Sequence, residues 1–321
     1  MIRFTRRGIY CKGAGVHIDP VSPVPEALIT HAHADHARRG MGRYVAHRDT
    51  IPLLHLRLGK TISAQGVEYG EVVERSGVRI SLHPAGHVAG SAQVRLESGG
   101  EVCVVSGDYK LEDDGVSRPY TPVRCDVFVT ESTFGLPIYR WRPQDEVMGE
   151  IHAWWEENQL SGRTSVIFCY ALGKAQRLLR HLDGSRGPIL AGDSIIRTTA
   201  VLARHGYPLP VPGPIDVRLP VDEVRRSLVL LSPSGLSGNL LRLISPFSAT
   251  YVSGWMATQK GAGARRATKG FVLSDHADWD GLNRAVGASG AQKVFVMHGF
   301  ASPFARWLRE QGYQAEEVAA D

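Results

Sequence analysis

The sequence predicts an α/β protein in two parts, a strand-rich body and a smaller parallel α/β unit inserted into it. Three observations predict this plan. The first half carries short runs of Val, Ile and Leu bounded by Gly, Pro or polar residues, as strands do. From about residue 164, strand-type and helix-type patterns alternate. After about residue 270 the earlier style returns, with apolar runs that end in histidine.

The strand candidates of the first half are 27–30, 78–83, 93–96, 102–106 and 127–130. A helix is expected from Pro143 onward, because "PQDEVMGEIHAWWEEN" opens with proline and acids in its first turn. "TSVIFCYALGKAQRLLRHL" then reads as a strand, a short turn and an amphipathic helix. "GPILAGDSIIRTTAVLARHGY" and "SLVLLSPSGLSGNLLRLI" repeat the plan. "KGFVLSDHAD" and "KVFVMHGF" close the chain in the style of the first half. Two Gly-bearing segments are decoys. "LRLGKT" at 56–61 lacks the earlier glycine of a phosphate loop, and "GAGARRATKG" at 261–270 fits no dinucleotide fingerprint.

With 321 residues, 43% of them hydrophobic, the chain can build one large core or two smaller ones. No apolar stretch is long enough to cross a bilayer, and no apolar segment follows the N-terminal charges, so neither membrane nor secretory signal is expected. Cys11, Cys103, Cys125 and Cys169 are scattered, without a C-x-x-C pair. They read as buried thiols of a reducing compartment, which makes the cytoplasm the expected location. The net charge of +5 agrees with a polyanionic partner such as nucleic acid.

The chemistry gathers in "LITHAHADHARRG" at 28–40, where His31, His33, Asp35 and His36 form H-x-H-x-D-H. In extended backbone, side chains at i and i+2 point the same way, so His31 and His33 can reach one metal. A turn after Ala34 would aim Asp35 and His36 at a second point. Further ligand types follow apolar runs: His87, Asp108, His276 and His298. Asp108 is the natural bridge between two cations, because a carboxylate has two oxygens. The other histidines lack such a setting.

In order, these residues resemble the motifs of the metallo-β-lactamase fold, an αββα sandwich with metals at one edge. "TEST" with Glu131, "SDHAD" with His276 and "VMHGF" with His298 resemble the three additional motifs of the β-CASP nucleases. "YALGKAQRLL" at 170–179 is similar to a segment of their inserted domain. "GDYKLEDDG" and "VTESTFGLPIYRW" resemble bacterial exonucleases associated with an ATP-dependent DNA ligase in repair. The resemblance implies a metallo-β-lactamase domain at 1–136 and 269–321, with a β-CASP domain at 137–268.

It also implies two divalent cations, zinc or manganese. His31, His33, His87 and Asp108 would hold the first, and Asp35, His36, Asp108 and His298 the second. His276 would be the general acid, oriented by Glu131, and Ser274 and Lys174 would contact substrate phosphates. From the two-domain plan, Arg6, Arg7, Arg38, Arg39, Arg265 and Arg266 either line the approach to a cleft beside the metal edge or are only solvated charges. The implied substrate is DNA, single-stranded or with an accessible 5′ end, cut from the 5′ end. The implied partners are that ligase and other repair proteins. His298 points the other way, to an RNase J-like RNA nuclease, because RNA-cleaving members carry histidine there and Artemis-type DNA enzymes an apolar residue. A non-nuclease hydrolase of the same fold accounts for H-x-H-x-D-H, but not for the insert, Glu131 or the second late histidine.

Overall fold

The structure is a computed structural model, and it describes residues 1–216, 218–235, 237–258 and 269–318. Arg265 and Arg266 lie outside the described residues. The chain divides into two compact units, Met1–Arg140 with His276–Asp321, and Trp141–Asp275.

The first unit opens with β1 (Ile2–Thr5), β2 (Gly8–Cys11), β3 (Val16–Ile18), β4 (Ala27–Ile29) and β5 (Tyr44–His47). Helix α1 (Ile51–Leu58) and β6 (Ala64–Val67) follow, and the six strands form one sheet in chain order. The first three strands are antiparallel and the later pairs parallel. Next come β7 (Val72–Arg75), β8 (Val78–Pro84), β9 (Ala92–Ser98), β10 (Glu101–Val105) and β11 (Val127–Glu131). All five strands expected in the first half are present, within two residues at either end.

The second unit begins with α2 (Gln144–Leu160), capped by Pro143 and carrying Asp145 and Glu146 in its first turn. Acids there face the positive end of the helix dipole. Then come β12 (Thr164–Phe168), α3 (Lys174–His181), β13 (Ile189–Ala191), α4 (Asp193–Arg204) and β14 (Gly213–Pro214). The unit ends with α5 (Val221–Arg226), β15 (Leu228–Leu231), α6 (Gly238–Ile244), β16 (Phe247–Val252) and β17 (Lys269–Phe271). Its sheet runs β14-β13-β15-β12-β16-β17 and every pair is parallel. Both faces are covered, which is why its strands read as unbroken apolar runs. Leu228 and Leu230 face a core with Trp154, Trp155 and Leu178, whereas Val229 and Leu231 face Val224 and Ile244. β17 pairs with β16, so residues 269–275 go with this unit, whereas residues 137–140 stay with the first.

The returning chain adds α7 (Trp279–Ser289), β18 (Lys293–Met297), α8 (Ala301–Glu310) and β19 (Gln314–Glu317) to the first unit. The second sheet of that unit is then β19-β18-β11-β10-β9-β8-β7. Strand alternation gives it two apolar faces. Val105 and Val129 join Ile9, Val16, Leu28 and Val45 in the core between the sheets. Val104, Phe128, Val294 and Val296 face the opposite way, onto Leu282, Val286, Phe304 and Leu308 of α7 and α8. On the other sheet, α1 packs beside β6 with Leu53, Leu54 and Leu58 buried. The result is an αββα sandwich. No described helix is long and apolar enough to cross a membrane.

Candidate metal centre

Strand direction brings the candidate ligands to one edge. β8 and β10 are both antiparallel to β9, so they run the same way, and β10, β11 and β18 are mutually parallel. Their C-terminal ends share an edge, and there the chain places His87, Asp108, Glu131 and His298. The turn after β4 supplies His31 to His36.

His31, His33, His87 and Asp108 converge, with one ligand atom from each lying within 4.8 Å of the others. His31 Nε2 is 3.0 Å from His33 Nδ1, which is 3.1 Å from His87 Nε2. Asp108 Oδ2 lies 3.5 Å from His31 Nε2 and 3.7 Å from His87 Nε2. Three imidazole nitrogens and a carboxylate with this spread fit a common cation about 2.0–2.2 Å from each ligand. His36 Nε2 is 3.4 Å from the same Asp108 oxygen and 3.8 Å from Asp35 Oδ2. The His298 ring lies 5.5 Å from the His36 ring, centre to centre. Asp35 and His298 are exposed, whereas His36 and Asp108 of the same set, like His31, are buried, so only half of the second set faces solvent.

Burial, and then the charge of His36, hold the His31 imidazole well below its ordinary range, in the neutral form that ligates metal. Burial would also lower His36, but the Asp108 and Asp19 carboxylates outweigh it and hold His36 well above its usual value. Asp108 is the converse case. Burial would raise it, yet His36 and then His276 keep its carboxyl well below the usual carboxylate range.

Asp19 is a member of the site that sequence reasoning missed. Its Oδ2 accepts from His36 Nδ1 at 2.7 Å and from the Thr30 hydroxyl at 2.5 Å, while Oδ1 accepts from the Thr30 amide at 2.8 Å. That turns His36 Nε2 towards Asp108, the arrangement by which an outer carboxylate sets a ligating histidine. A lone acid before Pro20 carries no motif. The available signal was its position just after a strand, as for Asp108.

Glu131 and His276 form a second group with Asp108. His276 Nδ1 is 2.9 Å and 3.1 Å from the two Glu131 oxygens and 4.0 Å from Asp108 Oδ2. Glu131 also accepts from the Tyr109 amide at 2.8 Å. The next residue, Ser132, donates to the His298 carbonyl at 2.5 Å. It thereby holds a turn in which His298 has φ +58° and Gly299 follows at the same angle. Gly107 is needed for a related reason. At φ +56°, a Cβ there would strike the Thr30 side chain.

Ser274 and Lys174 belong to the second unit, and both are buried. Lys174 Nζ is 2.7 Å from Asp275 Oδ1, and Arg177 donates to the Ser274 carbonyl. The Lys174 ammonium therefore already has a carboxylate partner.

Two facing sheets flanked by helices, with a histidine–aspartate cluster at the strand ends, define a metallo-β-lactamase-type protein. The chain is 31% identical over 317 residues to a probable DNA ligase of Opitutus terrae, a match that covers 98% of this chain and 31% of the ligase. It is 34% identical over 123 residues to cleavage and polyadenylation specificity factor subunit 3 of Dictyostelium discoideum, covering 36% of this chain and 15% of that protein. It is 28% identical over 183 residues to a ribonuclease of Thermus thermophilus, covering 49% of this chain and 42% of that enzyme. The chain thus spans less than half the length of each of these relatives. A crystal structure of a protein of unknown function from Enterococcus faecalis V583 shares the fold, with a TM-score of 0.60 at 12% identity over 92% of this chain and 79% of that one. No family model matches. The chain shares the metallo-β-lactamase/β-CASP fold, and its homologues include β-CASP nucleases.

Proposed function

We propose that the protein is a metal-dependent nuclease that hydrolyses phosphodiester bonds, with single-stranded DNA as substrate and cutting from the 5′ end. The observation that carries the reading is the meeting of the His31, His33, His87 and Asp108 cluster with the Glu131–His276 pair at Asp108. Two divalent cations, zinc or manganese, are assigned to the site: one to His31, His33, His87 and Asp108, the other to Asp35, His36, Asp108 and His298. Bound there, they would acidify a water and neutralise charge on the phosphate oxygens. The chain's own residues supply the proton. Glu131 favours the charged imidazolium and holds its Nδ1–H, leaving Nε2 to protonate the departing sugar oxygen.

The DNA substrate, and a role in repair beside a DNA ligase, are supported by the match over nearly the whole chain to a probable DNA ligase; the four free, buried cysteines support the cytoplasm as the location. The second reading is RNA processing. It is favoured by His298 and by relatives named endoribonuclease and ribonuclease. DNA and RNA strands of one sequence, labelled at the 3′ end and incubated with zinc or manganese, separate the two. We expect a ladder of progressively shortened 3′-labelled DNA. Immediate release of the 3′-terminal nucleotide would reverse the polarity, and faster decay of the RNA would move the substrate to RNA.

A further inference from the structure

Many arginines of the first unit pair with acids, among them Arg43 and Arg75 with Glu26, Arg48 with Glu68, and Arg79 with Glu97. Arg38 and Arg39, which end the metal-binding segment, have no carboxylate partner among the described residues. They are held by backbone carbonyls instead. Arg38 donates through Nη1 to the Val21 carbonyl at 3.3 Å and through Nε to that of Asp35 at 3.5 Å. Arg39 donates to the carbonyls of Leu58 at 3.0 Å and Arg57 at 2.7 Å. Carbonyls fix a guanidinium in place without cancelling its charge, and both side chains are exposed. The Val21 amide in turn donates to the Arg7 carbonyl at 3.0 Å. That bond brings the β1–β2 turn beside Arg38, with Arg6 and Arg7 exposed and without a carboxylate partner among the described residues.

We infer that Arg38 and Arg39, with Arg6 and Arg7 beside them, form a contact face for the phosphates that flank the scissile bond of a single nucleic-acid strand. This rests on the nuclease reading. Arg38 is two residues from His36, whose Nε2 is 3.4 Å from Asp108 Oδ2. A strand with one phosphate at the His/Asp cluster would carry its neighbours past these guanidiniums, whose forked donors match phosphate oxygens. The face reads no base, because phosphates are the same in every sequence.

The test is binding of a fluorescein-labelled oligo-dT strand, in chelator so that nothing is cut, across a salt series. Each phosphate contact to a single strand contributes about 0.7 to the slope of log affinity against log salt. The R38Q/R39Q double variant should therefore bind more weakly and lose about 1.4 from the slope. R6Q/R7Q should move in the same direction, and it disturbs no side-chain hydrogen bond of the metal-binding segment. R38K/R39K, which keeps the charge and loses the fork, should recover part of the affinity. Metal content after reloading reports whether the segment is intact, and if R38Q/R39Q loses metal, R6Q/R7Q decides. Unchanged affinity and slope in both glutamine variants overturn the face, which leaves the arginines as solvated charges. A wild-type protein that binds and cuts while the variants match it overturns this inference alone. A wild-type protein that neither binds nor cuts overturns the nuclease reading with it.

Discussion

At the scale of single residues, the proposed reading separates groups that hold metal from groups that move a proton. Glu131 is buried and its carboxylate meets both His276 Nδ1 and the Tyr109 amide, so its position does not depend on a cation. His276→Ala should therefore keep its metal, measured by elemental analysis, and slow cleavage by about 10²–10⁴-fold, as loss of a general acid does. Metal loss from this variant would make His276 a ligand instead. Asp19 acts through His36. Asp19→Asn keeps the shape and removes the charge that holds the His36 proton on Nδ1. Its expected signature is about 10–100-fold weaker metal binding, read by competition with a chromogenic chelator, with an unchanged melting temperature. Equal metal affinity in the two proteins would reduce Asp19 to a turn residue. Its own backbone, at φ +44°, shows that the turn holds this carboxylate in a conformation a non-glycine residue seldom adopts.

At the scale of elements, the turn after β18 is the most constrained part of the site. A Cβ on Gly299 would collide with the Ser132 carbonyl and the Thr133 Cα, and the angle is already left-handed. Gly299→Ala should destabilise the protein by more than about 1 kcal/mol in urea unfolding, beyond the usual range for a compatible site. An unchanged midpoint would mean that the turn can open. Elements were legible where burial is two-sided. β11, β12, β15 and β18 are dense in Val, Ile and Leu because each is covered on both faces. β1 and β2 were not read as strands, since "IRFT" and "GIYC" are short, mixed with polar residues and at a sheet margin. The sequence groups β17 with β18 in the style of the first half, because both lead into histidines. Its hydrogen bonds run to β16 instead, and pairing is a long-range choice that a local pattern does not encode. The histidines were legible for the opposite reason, because H-x-H-x-D-H is local. Asp19 joins the site through bonds to Thr30 and His36 that span 11 and 17 residues.

At the scale of the whole molecule, the first unit is interrupted, and the interruption sets an order of assembly. His31, His33, His87 and Asp108 have all been synthesised by residue 108, but β11 finds its parallel neighbour β18 only at residues 293–297. Everything from Trp141 to Asp275, a unit with its own sheet and core, is synthesised in between. His276 is the first residue of the returning segment. A growing chain therefore holds the first set of candidate ligands for most of its synthesis without the partner that Glu131 orients. A chain broken off within the insert keeps those ligands and lacks both His276 and His298. On the proposed nuclease reading, return of the chain through His276 and His298 is a condition of full-rate cutting, so an abandoned fragment would act far more slowly on the nucleic acid around it.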